Sequence, residues 1–481
     1  MEKIKIDEYT WEIPKGSKPG MKVPARLITT KKLLDDLDEG VIEQITNVAC
    51  LPGIRKYAMC MPDGHRGYGF PIGGVAAFST RTGVISPGGI GFDINCGVRL
   101  IRTNLTESEV KPRIKELIDL LFQLVPSGVG SHGIVKLTNS EFNKLMAEGL
   151  PWCLKRNYAW NSDIDFTEQG GVIPGANPDN VSDRAKKRGL DQIGTLGSGN
   201  HYLEIQKVEF DEQCDQKAAS ILGIDRPGQI TIMIHCGSRG FGHQIGTDYL
   251  QSFGDAMKKY GIQTNDRELA CAPFESPEGK AYYSAMACAA NTAFVNRQVI
   301  MHRVREGFAK IFGKSAEELG MHLVYDVAHN IAKLESYDTG QGIEEVLVHR
   351  KGATRAFGPG NKNIPEKYRS VGQPVLVGGS MQTGSYLLVG TAEAERLTFG
   401  STLHGAGRTM SRAAAKRQVR GNQVKDEMAK QGITVRTASM AGLAEEAGFA
   451  YKDVDTVVSA VHNAGISKKV ARFVPLANIK G

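Results

Sequence analysis

The run Ser86-Pro87-Gly88-Gly89-Ile90-Gly91-Phe92-Asp93-Ile94-Asn95-Cys96-Gly97 constrains this chain more than any other stretch. With four glycines and one proline in twelve residues, it can form neither a helix interior nor a regular central strand. It must be a shaped loop, and what it carries is a carboxylate, Asp93, three residues before a thiol, Cys96. Such a pair can chelate one cation, and a thiolate sulfur, with several lone pairs, can bridge two. Taken alone, the run also fits a tight turn around a buried, inert cysteine.

Four histidines tip the balance, because each stands at the end of an apolar strand or inside a glycine turn: His201 in Gly-Ser-Gly-Asn-His, His235 in Ile-His-Cys-Gly, His329 in Asp-Val-Ala-His-Asn and His404 in Leu-His-Gly-Ala-Gly-Arg. A strand end opening onto a glycine turn presents its side chain at the rim of a sheet, where sites are built. One thiolate, one carboxylate and three imidazoles suit two divalent ions sharing the sulfur, and this mixed donor set admits Mn²⁺, Zn²⁺ or Co²⁺. Paired metals are a recurrent device of phosphoryl chemistry, because they neutralise attacking and leaving oxygens together.

The loop His404-Gly405-Ala406-Gly407-Arg408, followed by a basic segment with Arg412, resembles an anion cradle of free amides and arginine forks. A histidine there can be a metal ligand, a base, or a nucleophile that forms a phosphoramidate. Ser380 and Ser385 in Gly-Ser-Met-Gln-Thr-Gly-Ser offer hydroxyls to a nucleotide, and Arg239 in Ser-Arg-Gly offers a second phosphate contact. Cys236, next to His235, should point away from it if the strand alternates, which makes it an inert thiol.

The net charge of +7 on 481 residues fits an anionic substrate such as a nucleotide or RNA, but it is far short of a nonspecific nucleic-acid binder. With 41% hydrophobic residues, 23% charged and 56 glycines, the chain reads as a globular enzyme rich in loops. The eight cysteines include no CxxC pair, there is no apolar leader, and no run of eighteen apolar residues appears. The expectation is a cytoplasmic, thiol-reduced protein with no membrane association.

Periodicity predicts helices over 106–124 and 280–312, a long basic helix over 411–431, strand-like runs at 75–78 and 98–101, a buried strand at 230–234 and a further strand over 323–330 that delivers His329. Residues 125–190 read as a helical and loop insertion. With no repeat or linker to divide the chain, residues 1–481 are expected to form a single large mixed α/β (α+β) domain, with central sheets flanked by helices and the site in a central cleft.

Together these motifs, with Pro62-Asp63-Gly64-His65, Gly197 to Glu204 and the near-terminal Ile479-Lys480-Gly481, closely resemble the RtcB family of GTP-dependent RNA ligases over nearly the whole chain. The resemblance implies joining of RNA 2′,3′-cyclic phosphate or 3′-phosphate ends to 5′-hydroxyl ends, in tRNA splicing and RNA repair. It implies that Cys96 bridges two Mn²⁺ ions, with Asp93 and His201 completing one site and His235 and His329 the other. It further implies that His404 takes GMP from GTP while Asp63 orients its ring. Asn200, Arg239, Ser380, Gly405, Ala406 and Gly407 would line phosphates or ribose, and Glu204, Ser385, Tyr451 and Lys480 would surround guanine. Arg408 and Arg412 are left as RNA or phosphate contacts, and an archease protein as a possible activating partner.

Two rivals predict different behaviour. A dinuclear metallophosphoesterase would hydrolyse RNA ends without GTP and without a covalent nucleotide. A noncatalytic RNA-binding protein would keep its RNA affinity when Cys96 is replaced.

Overall fold

The strand Gly97–Thr106, which leaves the glycine-rich loop, is buried at its first five positions and ladders with strands on both sides, so it lies inside a sheet. The computed structural model describes residues 1–340 and 342–481. Among them, this sheet has eight strands, running Leu323–Ala328, Gly97–Thr106, Gln229–Cys236, Tyr202–Glu209, Ser467–Lys480, Ser385–Gly390 and Pro374–Gly378, with Thr434–Thr437 added alongside Ser467–Lys480. A second, seven-stranded sheet is centred on Ile54–His65 and Ile72–Ser79. Met59, Val75 and Ala77 of this sheet share one apolar core with Val98, Met233 and Leu387 of the first. Inward-facing residues alternate with outward ones along such strands, which is why two sheets can close on each other.

The outer face of the eight-stranded sheet is covered by the helix Pro277–Phe312, whose residues from Ser284 to Met301 are all buried. A helix that is apolar or small all round belongs in an interior. Its first half packs with Phe142, Leu145 and Trp152 of the 125–190 segment, and its second half with Leu117 and Leu121. That segment holds the short helices Asn139–Glu148, Leu150–Leu154, Asn161–Asp165 and Asp183–Gly189. No helix of the described residues is long and apolar enough to cross a membrane.

Two predicted helices are broken. The helix over 106–124 is divided by the turn Lys111–Arg113, because Pro112 lacks the amide that a continuous helix needs. The basic stretch 411–431 forms two helices, Arg412–Gln418 and Gly421–Lys430. Val419 between them is extended, and the amide of Arg420 turns to the side chain of Gln423 as a fresh cap.

Sheet register positions the site. Gly97 lies opposite Cys236 and Ala328, and Tyr202 lies opposite His235. The residues just before Gly97 and Tyr202 and just after Ala328 therefore converge at one rim of the sheet, and these are Cys96, His201 and His329.

Candidate active site

The loop that carries Asp93 and Cys96 is built as its composition requires. Cys96 N closes a turn onto Asp93 O at 3.0 Å, and Asn95 adopts a left-handed φ of 55°, an asparagine tolerating this better than most residues. Gly237 is needed opposite: a Cβ there would lie 2.4 Å from Asp93 Oδ1. The donor atoms of Asp93, Cys96 and His201 all lie within 4.8 Å of one another, as do those of Cys96, His235 and His329. The structure thus brings all five expected ligands into two groups that share the sulfur.

Their chemistry fits a pair of divalent cations. Cys96 Sγ stands 3.1 Å from His235 Nε2 and 3.4 Å from His201 Nε2, and the Nε2 atoms of His235 and His329 are 3.2 Å apart. Ligands roughly 2.0–2.3 Å from a tetrahedral ion stand roughly 3.3–3.8 Å from each other, so these pairs need to open by only a few tenths of an ångström, and the His201 Nε2–Asp93 Oδ2 contact at 2.7 Å by somewhat more. His201 Nδ1 donates to Leu196 O at 3.0 Å and His235 Nδ1 to Asn200 O at 3.1 Å. These bonds fix the tautomer in which each Nε2 offers its lone pair to the shared centre.

Charge follows the same plan. Burial opposes the charged form of His201, but Cys236, Cys96 and Asp93 outweigh it and hold this imidazole well above its ordinary range. Burial opposes ionisation of Asp93 too, and there the facing His201 holds the carboxylate well below its usual range. Burial, reinforced by the adjoining imidazoles, keeps His235 and His329 well below the ordinary imidazole range and therefore neutral. Burial and Asp93 push the Cys96 thiol up to about 12. Cation binding must displace the protons of Cys96 and His201.

His404 adjoins this centre, its ring centroid 4.8 Å from that of His329. Its Nδ1 donates to Asp63 Oδ2 at 2.6 Å, and the same oxygen accepts the amides of His404 at 3.1 Å and Gly405 at 3.3 Å. Burial disfavours the Asp63 carboxylate, yet contact with His404 holds it ionised, below its usual range. Nδ1 is thereby committed and Nε2 is left nucleophilic. Gly407 allows this approach, since a Cβ there would lie 2.1 Å from Asp63 O.

A cavity of about 1190 Å³ opens over His404, His235 and His329. Asn200, Glu204, Ser380 and Ser385 line it, as do Gly405 to Arg408, Arg412, Tyr451 and Lys480. Arg239 is not brought to this wall: its Nη1 lies 3.4 Å from His201 Nδ1, and its guanidinium occupies the space that a Cβ on Gly197 would need.

Several participants carry no signal in the sequence. Glu446, 1% exposed, accepts from Arg412 Nε at 2.8 Å and Arg408 Nη1 at 3.4 Å, takes the Tyr451 hydroxyl, and stands 3.9 Å from Lys480 Nζ. It gathers the expected phosphate and guanine contacts around one carboxylate, but its Glu-Glu dipeptide reads as plain helix surface. Asn330 donates to Asp93 O at 3.1 Å and Lys452 Nζ to the carbonyls of Pro62 and Gly64 at 3.0 and 2.7 Å. Cys236 is not merely inert: its Sγ donates to Leu196 O at 3.1 Å, the carbonyl that holds His201 Nδ1.

Glu204 gives a stability prediction. Burial pushes its carboxyl from near 4.5 up to about 7, against hydrogen bonds from Gln206 and Asn478 and the charge of Lys480. A raised carboxyl favours the folded state fully below the unfolded pKa, and that advantage is lost as pH rises through about 7. Glu204→Gln removes the buried charge, and the unpartnered oxygens of Gln206 and Asn478 can turn to accept its amide. The variant should exceed the parent in stability at pH 8 by up to roughly 3 kcal/mol, with the difference gone near pH 4.5. Melting curves across that range check this.

The family model described as tRNA-splicing ligase RtcB matches residues 44–481. The chain is 55% identical over 477 residues to the tRNA-splicing ligase RtcB of Archaeoglobus fulgidus, covering 99% of this chain and 98% of that one. Against the protein of the same name from Pyrobaculum aerophilum, identity is 54% over 480 residues, 99% of each chain. Against that of Thermococcus kodakarensis, it is 53% over 478 residues, 99% and 98%.

Proposed function

The chain belongs to the RtcB family of tRNA-splicing ligases, and from that premise we propose that this RNA ligase works through a histidine–GMP adduct, using GTP and two Mn²⁺ ions. The observation that carries the proposal is the Asp63–His404 pair at 2.6 Å, set beside the shared-sulfur donor set. A dinuclear phosphoesterase would attack with a bound hydroxide and form no histidine adduct, whereas here an imidazole oriented by a carboxylate lines a cavity large enough for a nucleotide.

When bound, the ions supply charge neutralisation at the reacting phosphates. The residues of the chain do the rest. Asp63 retains the Nδ1 proton while His404 Nε2 forms a bond to the α-phosphorus of GTP and pyrophosphate departs. A cyclic RNA end is first opened by water to a 3′-phosphate. An oxygen of that phosphate then takes GMP from His404, whose Nε2 recovers its lone pair. Finally the 5′-hydroxyl attacks the RNA phosphorus, GMP leaves, and the hydroxyl proton passes to solvent. Capping is required because a bare 3′-phosphate has only oxide or hydroxide to expel, whereas its guanylylated form expels GMP.

Glu204, as a carboxylate, accepts the two N–H groups on the guanine edge, so Glu204→Gln should weaken GTP binding while it stabilises the fold. Ser380, Ser385, Asn200, the Gly405–Gly407 amides, Tyr451 and Lys480 complete the nucleotide site, and Arg408 and Arg412, which line the same cavity, meet phosphates of GTP or RNA. The proposal includes action as one ligase domain in the cytoplasm and activation by an archease partner.

The test supplies one RNA ending in a 2′,3′-cyclic phosphate and another beginning with a 5′-hydroxyl. Joined product that needs both GTP and Mn²⁺ supports the proposal. End hydrolysis without GTP, and no joined strand, contradicts it.

A further inference from the structure

Two consecutive residues of the helix Pro277–Phe312, Asn296 and Arg297, are 1% and 0% exposed and reach into different backbone segments beneath the ion sites. Arg297 Nη1 donates to Asn95 O at 2.7 Å and to Cys236 O at 2.8 Å, while Nε and Nη2 fork onto Asp326 at 2.9 and 2.8 Å. Asn95 precedes Cys96, Cys236 follows His235, and Asp326 lies three positions before His329 on the strand Leu323–Ala328. His329 N in turn donates to Cys96 O at 2.9 Å. One planar side chain is thus tied to all three segments that carry Cys96, His235 and His329.

Asn296 serves the other group. Its Oδ1 accepts the amides of Gly194 at 2.7 Å and Thr195 at 3.2 Å. Its Nδ2 donates to Thr195 O at 3.1 Å, Gly237 O at 3.2 Å and Cys236 Sγ at 3.1 Å. The segment so held ends at Leu196, whose carbonyl fixes the His201 ring, and Gly237 is the residue against which the Asp93 carboxylate packs. Of the ligands that belong to the first ion alone, Asp93 therefore packs on a residue bonded to Asn296, and His201 is held by the carbonyl of the residue that follows one bonded to it.

We propose that Asn296 and Arg297 are positioning residues that set the two ion sites separately: Arg297 aligns Cys96, His235 and His329, and Asn296 aligns Asp93 and His201. The inference rests on the two-ion reading given above. Cys96 is common to both sites, but its turn is also closed from within by Asp93 O, so loss of the Arg297 fork falls mainly on the second site. Partners of metal ligands typically govern 10–100-fold of metal affinity. Arg297→Lys keeps the charge and removes the fork, since an ammonium cannot hold donors in one plane toward a carboxylate and two carbonyls.

The experiment measures Mn²⁺ binding alone, by the paramagnetic resonance signal of the free ion, in full-length protein without GTP or RNA. Wild type should take up two ions. His201→Ala isolates the Cys96/His235/His329 site and His329→Ala isolates the Asp93/Cys96/His201 site. Arg297→Lys should weaken binding about 10–100-fold in the His201→Ala background and less than about threefold in the other. Asn296→Ser should do the reverse. Melting of the metal-free proteins verifies folding, and if Arg297→Lys does not fold, Arg297→Gln, which also removes the fork and leaves Asp326 paired with Arg99, carries the same expected selectivity. Equal weakening in both backgrounds, or none, overturns the inference while leaving the two-ion reading intact. Fewer than two ions in wild type overturns the reading and the inference together.

Discussion

Alanine at position 404 is expected to leave a folded protein that takes up no covalent nucleotide. The His404 side chain is 14% exposed and belongs to the cavity wall, so its loss removes reactivity rather than core packing. With α-labelled GTP and Mn²⁺, denaturing electrophoresis should show an acid-labile label on the parent and none on His404→Ala, and ligation should fall by at least about 10³-fold. Asp63→Asn should come close to this, with a loss of about 10³–10⁴-fold, because an amide can present its NH₂ to Nδ1 and reverse the tautomer. An RNA whose 3′-phosphate already carries GMP should bypass both lesions, since His404 is needed only to deliver the nucleotide. A labelled His404→Ala protein would remove the nucleophile from the mechanism.

The second large effect is expected at Cys96. Its sulfur belongs to both donor groups, so Cys96→Ala strips a ligand from each ion and leaves two donors where three stood. Mn²⁺ affinity should fall by more than roughly 100-fold, beyond what loss of a ligand's supporting partner costs, and ligation should disappear with it. Melting of the metal-free protein should hardly change, since the thiol is small and, with its pKa pushed up to about 12, neutral when no ion is bound. For the same reason, Mn²⁺ affinity of the parent should rise with pH, as fewer protons must be displaced from Cys96 and His201. Titration calorimetry in two buffers of different ionisation heat measures that proton release. Ion uptake by Cys96→Ala at parental affinity would contradict the shared-sulfur arrangement.

The candidate donors were legible because each sits where a local pattern changes, at a join between an apolar strand and a polar or glycine turn. His235 and His404 end apolar runs that pass into glycine, His201 follows a glycine turn and opens a strand, and His329 leaves an apolar strand; sheet register then brings Cys96, His201, His235 and His329 together. The long helix was legible over Lys280 to Phe312, and the structure starts it at Pro277 and buries it from Ser284 to Met301. What stayed hidden are groups whose role exists only after folding. Glu446 looks like an exposed helix residue until Arg408, Arg412 and Lys480 close around it. Asn296 and Arg297 lie in a stretch whose periodicity shows a helix and nothing of the carbonyls that it meets a hundred or two hundred residues away. The basic stretch after Ser411 shows the opposite failure: composition favours one long helix, but the extended Val419 and the side chain of Gln423 end the first and start a second.

The paired-ion centre is tested most directly by anomalous diffraction at the manganese edge from crystals of the Mn²⁺-bound protein. Two peaks are expected, both in contact with Cys96 Sγ, one among Asp93, Cys96 and His201 and the other among Cys96, His235 and His329, with the His404 ring facing them. A single peak, or a pair that does not touch the Cys96 sulfur, would contradict it.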